Sequence, residues 1–487
     1  MFTGIEGSGG FIMRVALAIL WGLSLLTGSH LQVGRDSPVN IGSQLQLFLD
    51  RELIETMTKV SLRMHSPVPR EYVFRFDAPW EGPESSYVSV MKDGDRFRMY
   101  YRGGGENTQE VTCYAESRDG IIWSRPSIGA VEYQGSMQNN IILIGKRKAY
   151  WESHNFAPFK DMNPSIPPTQ RYKAVGLGRS RETGNKALVA LISPDGIHWA
   201  SLQEPPIMAQ GSFDSLNTVF WDNVQHIYVC YLRVGREGKR SIARCTSSDF
   251  IHWSQPELLD FGKTPLEQFY TNAITPYFQE PHIYLGLPMR FVPERKTFGS
   301  KQTPVDGLSD AVLISSHDGL RWSRTFMEAF IRPGLDPLNW GHPHQNNCPA
   351  WGIVPTKEGE ISIYWLEHSG NIPLLRRGTL RTDGFASVNA PYGGGEFITR
   401  LLIFTGKQLV INYSTSAVGS LRVEIQNAEG KPIEGYTLAD CPEIYGDELE
   451  RAVSWKNGTD VSRLAGQPVR LRFVMKDADL YSIRFKG

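Results

Sequence analysis

Ser117-Arg118-Asp119-Gly120-Ile121-Ile122-Trp123 returns three more times along this chain of 487 residues. The other copies are Ser193-Pro194-Asp195-Gly196-Ile197-His198-Trp199, Ser247-Ser248-Asp249-Phe250-Ile251-His252-Trp253 and Ser316-His317-Asp318-Gly319-Leu320-Arg321-Trp322. Each follows an alternating or apolar run, such as Ala187 to Ile192, so each sits on a turn at the end of a strand. Ser and Asp side chains hydrogen-bond nearby backbone amides and hold such a turn. Gly supplies an unusual backbone angle in three copies, and Phe250 replaces it in the third. The Trp opens the next strand and packs between sheets. A strand–turn unit recurring at this spacing is the mark of radial repetition, here a β-propeller.

The sequence around the motifs follows the same grammar. Blade one runs from about Tyr72 to Pro126, with a turn at Lys92-Asp93-Gly94 between two strands. Blade two holds Arg171 to Leu177, blade three Leu216 to Trp221 and His226 to Arg233, and blade four Asn272 to Tyr277 and His282 to Pro288. An insertion from about Val292 to Asp310 follows. Blade five holds Cys348 to Val354 and Ile361 to Leu366, and ends on a degenerate motif, Thr382-Asp383-Gly384-Phe385. The opening strands, Leu45 to Asp50 and Leu53 to about Pro69, are expected to lead into the propeller and close its last blade; if they form their own blade the count is six. After Pro391 the motif stops, and short alternating strands fill residues 396–487. The predicted fold class is therefore all-β: a five-bladed β-propeller over 45–390, a hinge at Gly393-Gly394-Gly395, and a C-terminal β-sandwich over 396–487.

Composition narrows the function. Lys plus Arg and Asp plus Glu both number 51, with no basic cluster, which argues against a nucleic-acid partner. The five cysteines show no metal spacing and no disulfide framework, although Cys230 and Cys245 can face each other across a hairpin. Residues 1–30 read as a signal peptide: Arg14, the apolar run Val15 to Leu26, then Thr27, Gly28 and Ser29, with Met13 as a possible start. The run is short for a membrane span, and a retained anchor is the alternative. The expected product is a secreted or periplasmic monomer with no membrane contact after cleavage.

In a propeller the inner strands converge, and their leading ends meet at one mouth. The stretches at or before those strands are polar: Trp80-Glu81-Gly82-Pro83-Glu84-Ser85-Ser86-Tyr87, Lys160-Asp161-Met162-Asn163-Pro164, Ser212-Phe213-Asp214-Ser215-Leu216-Asn217, Glu267-Gln268-Phe269-Tyr270-Thr271-Asn272, and Asn339-Trp340-Gly341-His342-Pro343-His344-Gln345-Asn346-Asn347. Aromatic rings stack on the C–H faces of a sugar, amides read its hydroxyls, and paired carboxylates break its glycosidic bond. The candidate catalytic acids are Glu84, Asp161, Asp214 and Glu267. Glu267, shielded by Tyr270, is expected to be the proton donor, Asp214 the nucleophile or base, Asp161 an orienting group, and Glu84 a competing base. Trp80, Asn163, Asn217, Tyr270, Asn272, Arg290, Trp340, His342 and His344 are expected to bind substrate. No cofactor is implied, although the histidines leave room for a structural ion at the pore. The zero net charge and the amide and aromatic lining suggest a neutral glycan. The bland alternative is that an Asp before a strand caps a turn.

This architecture resembles the five-bladed glycoside hydrolases of families 32, 43 and 68. The segments Asn163 to Ala174, Phe213 to Trp221 and Tyr270 to Tyr277 are also similar to secreted bacterial proteins assigned to that superfamily. The resemblance implies a glycosidase. The Trp-Met-Asn-Asp-Pro-Asn-Gly, Arg-Asp-Pro and Glu-Cys patterns of family 32 are absent, so no catalytic residue transfers by position. Two other readings stand beside it. One is a non-catalytic carbohydrate-binding or surface scaffold propeller. The other is a sialidase-like hydrolase, with Arg102, Arg233 and Arg290 as a carboxylate clamp and Tyr270 as nucleophile; the motif is one residue shorter than the sialidase Asp-box. A catalytic site needs two carboxylates facing one pocket, about 5 to 9.5 Å apart.

Overall fold

Every copy of the motif folds the same way. The Ser hydroxyl accepts from the amide of the Asp and of the residue after it, as Ser193 does from Asp195 and Gly196. The Asp Oδ1 accepts from the two amides beyond, at 2.9 Å each for Asp195. The Trp Nε1 donates to the carbonyl of Gly120, Gly196, Phe250 or Gly319, at 3.1 Å in all four copies. The glycines take φ of +75°, +79° and +76°, and Phe250 takes +69°, the left-handed angle the turn demands.

The computed structural model describes residues 37–104, 109–144, 155–203, 206–299 and 304–487. The leader expected at 1–30 lies outside the described residues. From Pro38 the chain forms one unit, nearly all β, and among the described residues no helix is long and apolar enough to cross a membrane. From inside outward, blade one is Ser86–Asp93, Arg96–Gly103, Val111–Ser117 and Ile141–Ile144. Blade two is Ala157–Lys160, Tyr172–Arg179, Lys186–Ser193 and Ala200–Ser201. Blade three is Thr218–Asp222, Ile227–Arg236, Lys239–Ser247 and Glu257–Leu258. Blade four is Thr275–Tyr277, Glu280–Gly286 and Ile314–Ser316. Blade five is Val354–Lys357, Glu360–Glu367 and Leu374–Arg381, with Val68–Arg75 as its outer strand. The inner strand of blade one touches those of blades two and five, two touches three, and three touches four. Trp351 bridges the last gap: its backbone pairs with Ser89 and its indole donates to the Ile274 carbonyl at 2.9 Å. The chain is a β-propeller with a β-sandwich at its C-terminal side.

Three expectations about the chain's division change. Blade one starts at Ser86, because Val68–Arg75 crosses the boundary placed at Tyr72 and closes blade five instead. The strands before it do not enter the propeller. Gln46–Leu47 pairs with Arg470–Lys486, Ile54–Thr58 with Gly395–Thr399, and Ser61–Met64 with Ala386–Ala390. The sandwich is thus built from both ends of the chain, and boundaries at 45, 390 and 396 cut through one sheet. The reason is burial: Phe48, Leu53 and Ile54 share a core with Phe397, Leu421 and Phe473. The insertion lies within blade four, between Glu280–Gly286 and Ile314–Ser316, and is a hairpin, Met289–Lys296 with Asp306–Ala311, which Gln268–Phe269 joins. Cys230 and Cys245 do face each other in blade three, as buried free thiols. Burial pushes the Cys245 thiol up to about 12.

Candidate active site at the propeller mouth

The leading ends of the inner strands bring four sequence-distant stretches around Tyr87. This residue is buried and takes φ of +51°, a strained angle for a bulky side chain. Burial drives its hydroxyl well above the ordinary tyrosine range, and Tyr270, Arg102, Asp214 and Arg233 all act on it electrostatically. Blades one, three and four therefore meet here. Arg102 lies over the Tyr87 ring at 4.9 Å. Its Nε and Nη2 donate to the Glu84 carbonyl at 3.1 and 2.6 Å, and Nη2 stands 3.5 Å from Glu84 Oε2. Asp214 Oδ2 is 3.0 Å from Lys186 Nζ. Both carboxylates are partly open to solvent, at 37% for Glu84 and 39% for Asp214.

The stretch before blade five supplies the histidines. His344 stacks on Tyr270 with ring centroids 5.4 Å apart and planes 25° from parallel. His342 meets His344 edge-on at 6.4 Å. Burial holds His344 down to about 4; His342 and Arg240 push the same way, and Glu84 opposes them. Burial lowers His342 as well. Both imidazoles are neutral at pH 7, each with one donor and one acceptor nitrogen. The Nδ1 of His342 accepts from the His344 amide at 3.3 Å. The Nδ1 of His344 is buried with no partner among the described residues. Arg233 and Arg240 lie over the Tyr270 ring at 5.2 and 5.0 Å.

Of the expected acids, Glu84 and Asp214 reach this mouth. Glu267 lies beside it, clamped: Oε1 is 2.7 Å from Arg290 Nη1 and Oε2 is 2.5 Å from Arg324 Nη2. Arg290 also grips Asp310 with two hydrogen bonds, at 2.8 and 2.6 Å. Both Glu267 oxygens accept from guanidiniums, so the expected proton donor is a structural clasp, and Arg290 is spent in it. The Tyr270 ring meets His344, Phe291 and two arginines rather than shielding that carboxylate.

Asp161 is at the other end of the propeller. The inner strand of blade two is Ala157–Lys160, so Asp161 follows it instead of leading it. Its Oδ2 is 2.7 Å from both Tyr228 Oη and Lys173 Nζ, and its Oδ1 accepts from the Asn163 amide. Asp93 and Asp222 end the inner strands of blades one and three and accept in the same way from Tyr172 and Tyr284. These three pairs clasp neighbouring blades. Asn163 goes with Asp161 and donates to Tyr228 Oη at 3.1 Å.

The other expected binders are mostly structural. Asn217 is fully buried and donates to the Phe213 and Ser215 carbonyls. Asn272 is 2% exposed and ties Thr218, Leu216 and Tyr231 of blade three to blade four. Trp80 donates to Asn140 at 2.7 Å inside blade one. Trp340 stacks on Phe298 of the hairpin at 5.0 Å. Among the described residues the one group of three side chains close enough together to share an ion is Asp50, Glu52 and His317, which includes neither His342 nor His344. Sequence reasoning placed Tyr87 at the end of the Trp80–Tyr87 stretch without giving it a role, and it missed Arg240, which sits on a strand that reads as ordinary packing. The opposite mouth holds a cavity of about 380 Å³ lined by Phe159, Trp221, Asp222, Tyr277, Phe278 and Trp351.

No family model and no curated protein matches the chain. Solved structures similar to it include a thermostable family-43 glycoside hydrolase, at 12% identity and TM-score 0.43, covering 65% of this chain and 94% of the other. An N-acetylgalactosamine deacetylase from F. plautii, in complex with blood group B trisaccharide, aligns at 13% identity and TM-score 0.43, covering 65% and 94%. A glycosyl hydrolase from Bacteroides ovatus aligns at 14% identity and TM-score 0.40, covering 69% and 96%. At these values no residue of those proteins can be set on a residue of this chain.

Proposed function

We propose that the mouth around Tyr87 binds a saccharide and that the chain is a secreted glycoside hydrolase. The observation that carries this reading is the meeting of Glu84, Asp214, Tyr87, Tyr270, His342 and His344 from four separate stretches. Glu84 and Asp214 supply the two carboxyl groups that glycoside hydrolysis needs, one protonated to donate to the leaving oxygen and one ionised. The Tyr270–His344 stack is a flat platform for a sugar face. The neutral imidazoles, one with an unpartnered buried nitrogen, suit sugar hydroxyls. Glu84 now takes the place given to Glu267. Screening the purified protein against polysaccharides and aryl glycosides tests the activity. On a confirmed substrate, Glu84→Gln and Asp214→Asn should each cut turnover about a hundredfold or more, the usual size of an acid–base contribution. If both keep full turnover, the chemistry lies elsewhere.

A second reading, a non-catalytic carbohydrate-binding propeller, draws support from one feature. Glu84 stands beside Arg102 and Asp214 beside Lys186, so each carboxylate already has a cationic partner in the fold. Binding to a glycan without cleavage of any linkage decides for it.

A further inference from the structure

Charge matching at the mouth leaves two arginines over. Arg290 and Arg324 are balanced by Glu267 and Asp310. Arg102 has Glu84 at 3.5 Å and Glu110 at 4.0 Å. Lys186 has Asp214. Arg233 and Arg240 have no carboxylate partner among the described residues; their hydrogen bonds go to neutral acceptors. Arg233 Nε donates to the Ser212 carbonyl at 3.1 Å, and Arg240 Nη1 to Gln268 Oε1 at 3.1 Å. Both guanidiniums lie over one ring, that of Tyr270, which forms the proposed sugar platform with His344. Lys239 adds a third cation bonded to a neutral group, the Leu266 carbonyl, at 2.8 Å. The chain as a whole carries no net charge, so this surplus is local.

Arg233 and Arg240 are both half-buried. A partly desolvated cation without a counter-charge is unfavourable, and an anionic ligand relieves it. The planar guanidinium fork matches a carboxylate in particular, with two parallel hydrogen bonds. We propose that the mouth takes a saccharide bearing a carboxylate, a uronic acid unit, held by Arg233 and Arg240 beside Tyr270. This rests on the reading of the mouth as a saccharide site. It replaces the expectation of a neutral glycan, which rested on the charge of the whole chain and on an amide and aromatic lining whose Asn217 and Asn272 are tied up in buried hydrogen bonds.

The test is calorimetric binding of galacturonate and glucuronate oligosaccharides to the full chain, against their methyl esters and the matching neutral oligosaccharides. The acid forms should bind about tenfold tighter or better, a step of about 1.4 kcal/mol. The preference should shrink as salt rises from about 50 to about 500 mM. Arg233→Gln and Arg240→Gln should each lose about tenfold for the acids and much less for neutral sugars, and the Lys variants should recover part of the loss. Equal affinity for acid and ester in the wild type overturns the proposal without any variant. So does a preference for sulfated over carboxylated sugars. Neutral glycans bound with no acid preference sink the proposal and leave the saccharide site standing. Failure of every saccharide sinks both.

Discussion

At the scale of single residues, His344 makes the sharpest statement. Its imidazole is held down to about 4 in the fold, against 6.5 in an open chain. As pH falls from 6.5 toward 4, the unfolded chain takes up a proton that the folded chain refuses, so stability falls over that window. His342 and His65, both lowered by burial, act with the same sign. Asp195 and Asp249, depressed by hydrogen bonds from His198 and His252, release their contribution only below about 3.8, in a separate window. Urea unfolding at pH 7 and at 4.5 should show the loss, and His344→Phe should reduce it. An unchanged slope in that variant would mean the imidazole is not kept neutral. The motif residues Ser, Asp and Trp were legible in the sequence because their hydrogen bonds are local. Asp161 was not, because Asp-x-Asn-Pro punctuation looks alike at either end of a strand. A usable signal was present: Tyr172, Tyr228 and Tyr284 each pair with a motif Ser.

At the scale of elements, the exceptional Phe250 has a partner exception in the neighbouring blade. Three residues beyond the position opposite the motif Ser stand Tyr100 in blade one, Val175 in blade two and Tyr231 in blade three. Tyr100 reaches over to donate to the Gly196 carbonyl at 3.0 Å, Tyr231 to Gly319 at 2.8 Å, and Tyr364 to Gly120 at 2.7 Å. A Cβ on Gly196 or Gly319 would meet that hydroxyl at 2.7 or 2.6 Å, so each tyrosine requires a glycine. Between blades two and three the sizes are exchanged, Val175 for Tyr and Phe250 for Gly. The Phe250 ring fills the space and packs on Tyr228 at 5.1 Å and Phe159 at 5.8 Å. Phe250→Gly should therefore cost about 3 kcal/mol or more through the cavity it leaves. Val175→Tyr alone should cost about 1 to 3 kcal/mol by overpacking. The double variant should be more stable than the sum predicts, by about 0.5 to 3 kcal/mol, because the new hydroxyl meets a freed carbonyl. Strict additivity in urea unfolding would show that the two positions do not share one space. The sequence showed that Phe250 breaks the pattern, but only the strand register identifies Val175 as its counterpart.

At the scale of the whole molecule, the order of elements along the chain is not their order in space. Alternation predicts that 396–487 is stranded, but it says nothing about which strand lies beside which, and the missing neighbours come from the N-terminal side. Ile54–Thr58 is an edge partner of Gly395–Thr399, and Ser61–Met64 of Ala386–Ala390. The chain therefore passes from the sandwich into the outer strand of blade five, around the ring, and back to the sandwich. The two parts are also locked together by Asp383, in the degenerate fifth motif, which is 7% exposed. It accepts from Tyr277 of blade four at 2.6 Å and from Ser482 of the sandwich at 2.9 Å. A fragment of residues 396–487 alone lacks Phe48, Leu53, Ile54 and Val388 of its core. Each is worth about 1.5 to 3 kcal/mol of burial, together comparable with the whole stability of a small domain. That fragment should be unfolded by circular dichroism and amide exchange. A fragment of 386–487 joined through a flexible linker to residues 38–64 restores the paired edges and should fold cooperatively. A cooperative transition in 396–487 by itself would show that the N-terminal strands decorate the sandwich and do not complete it.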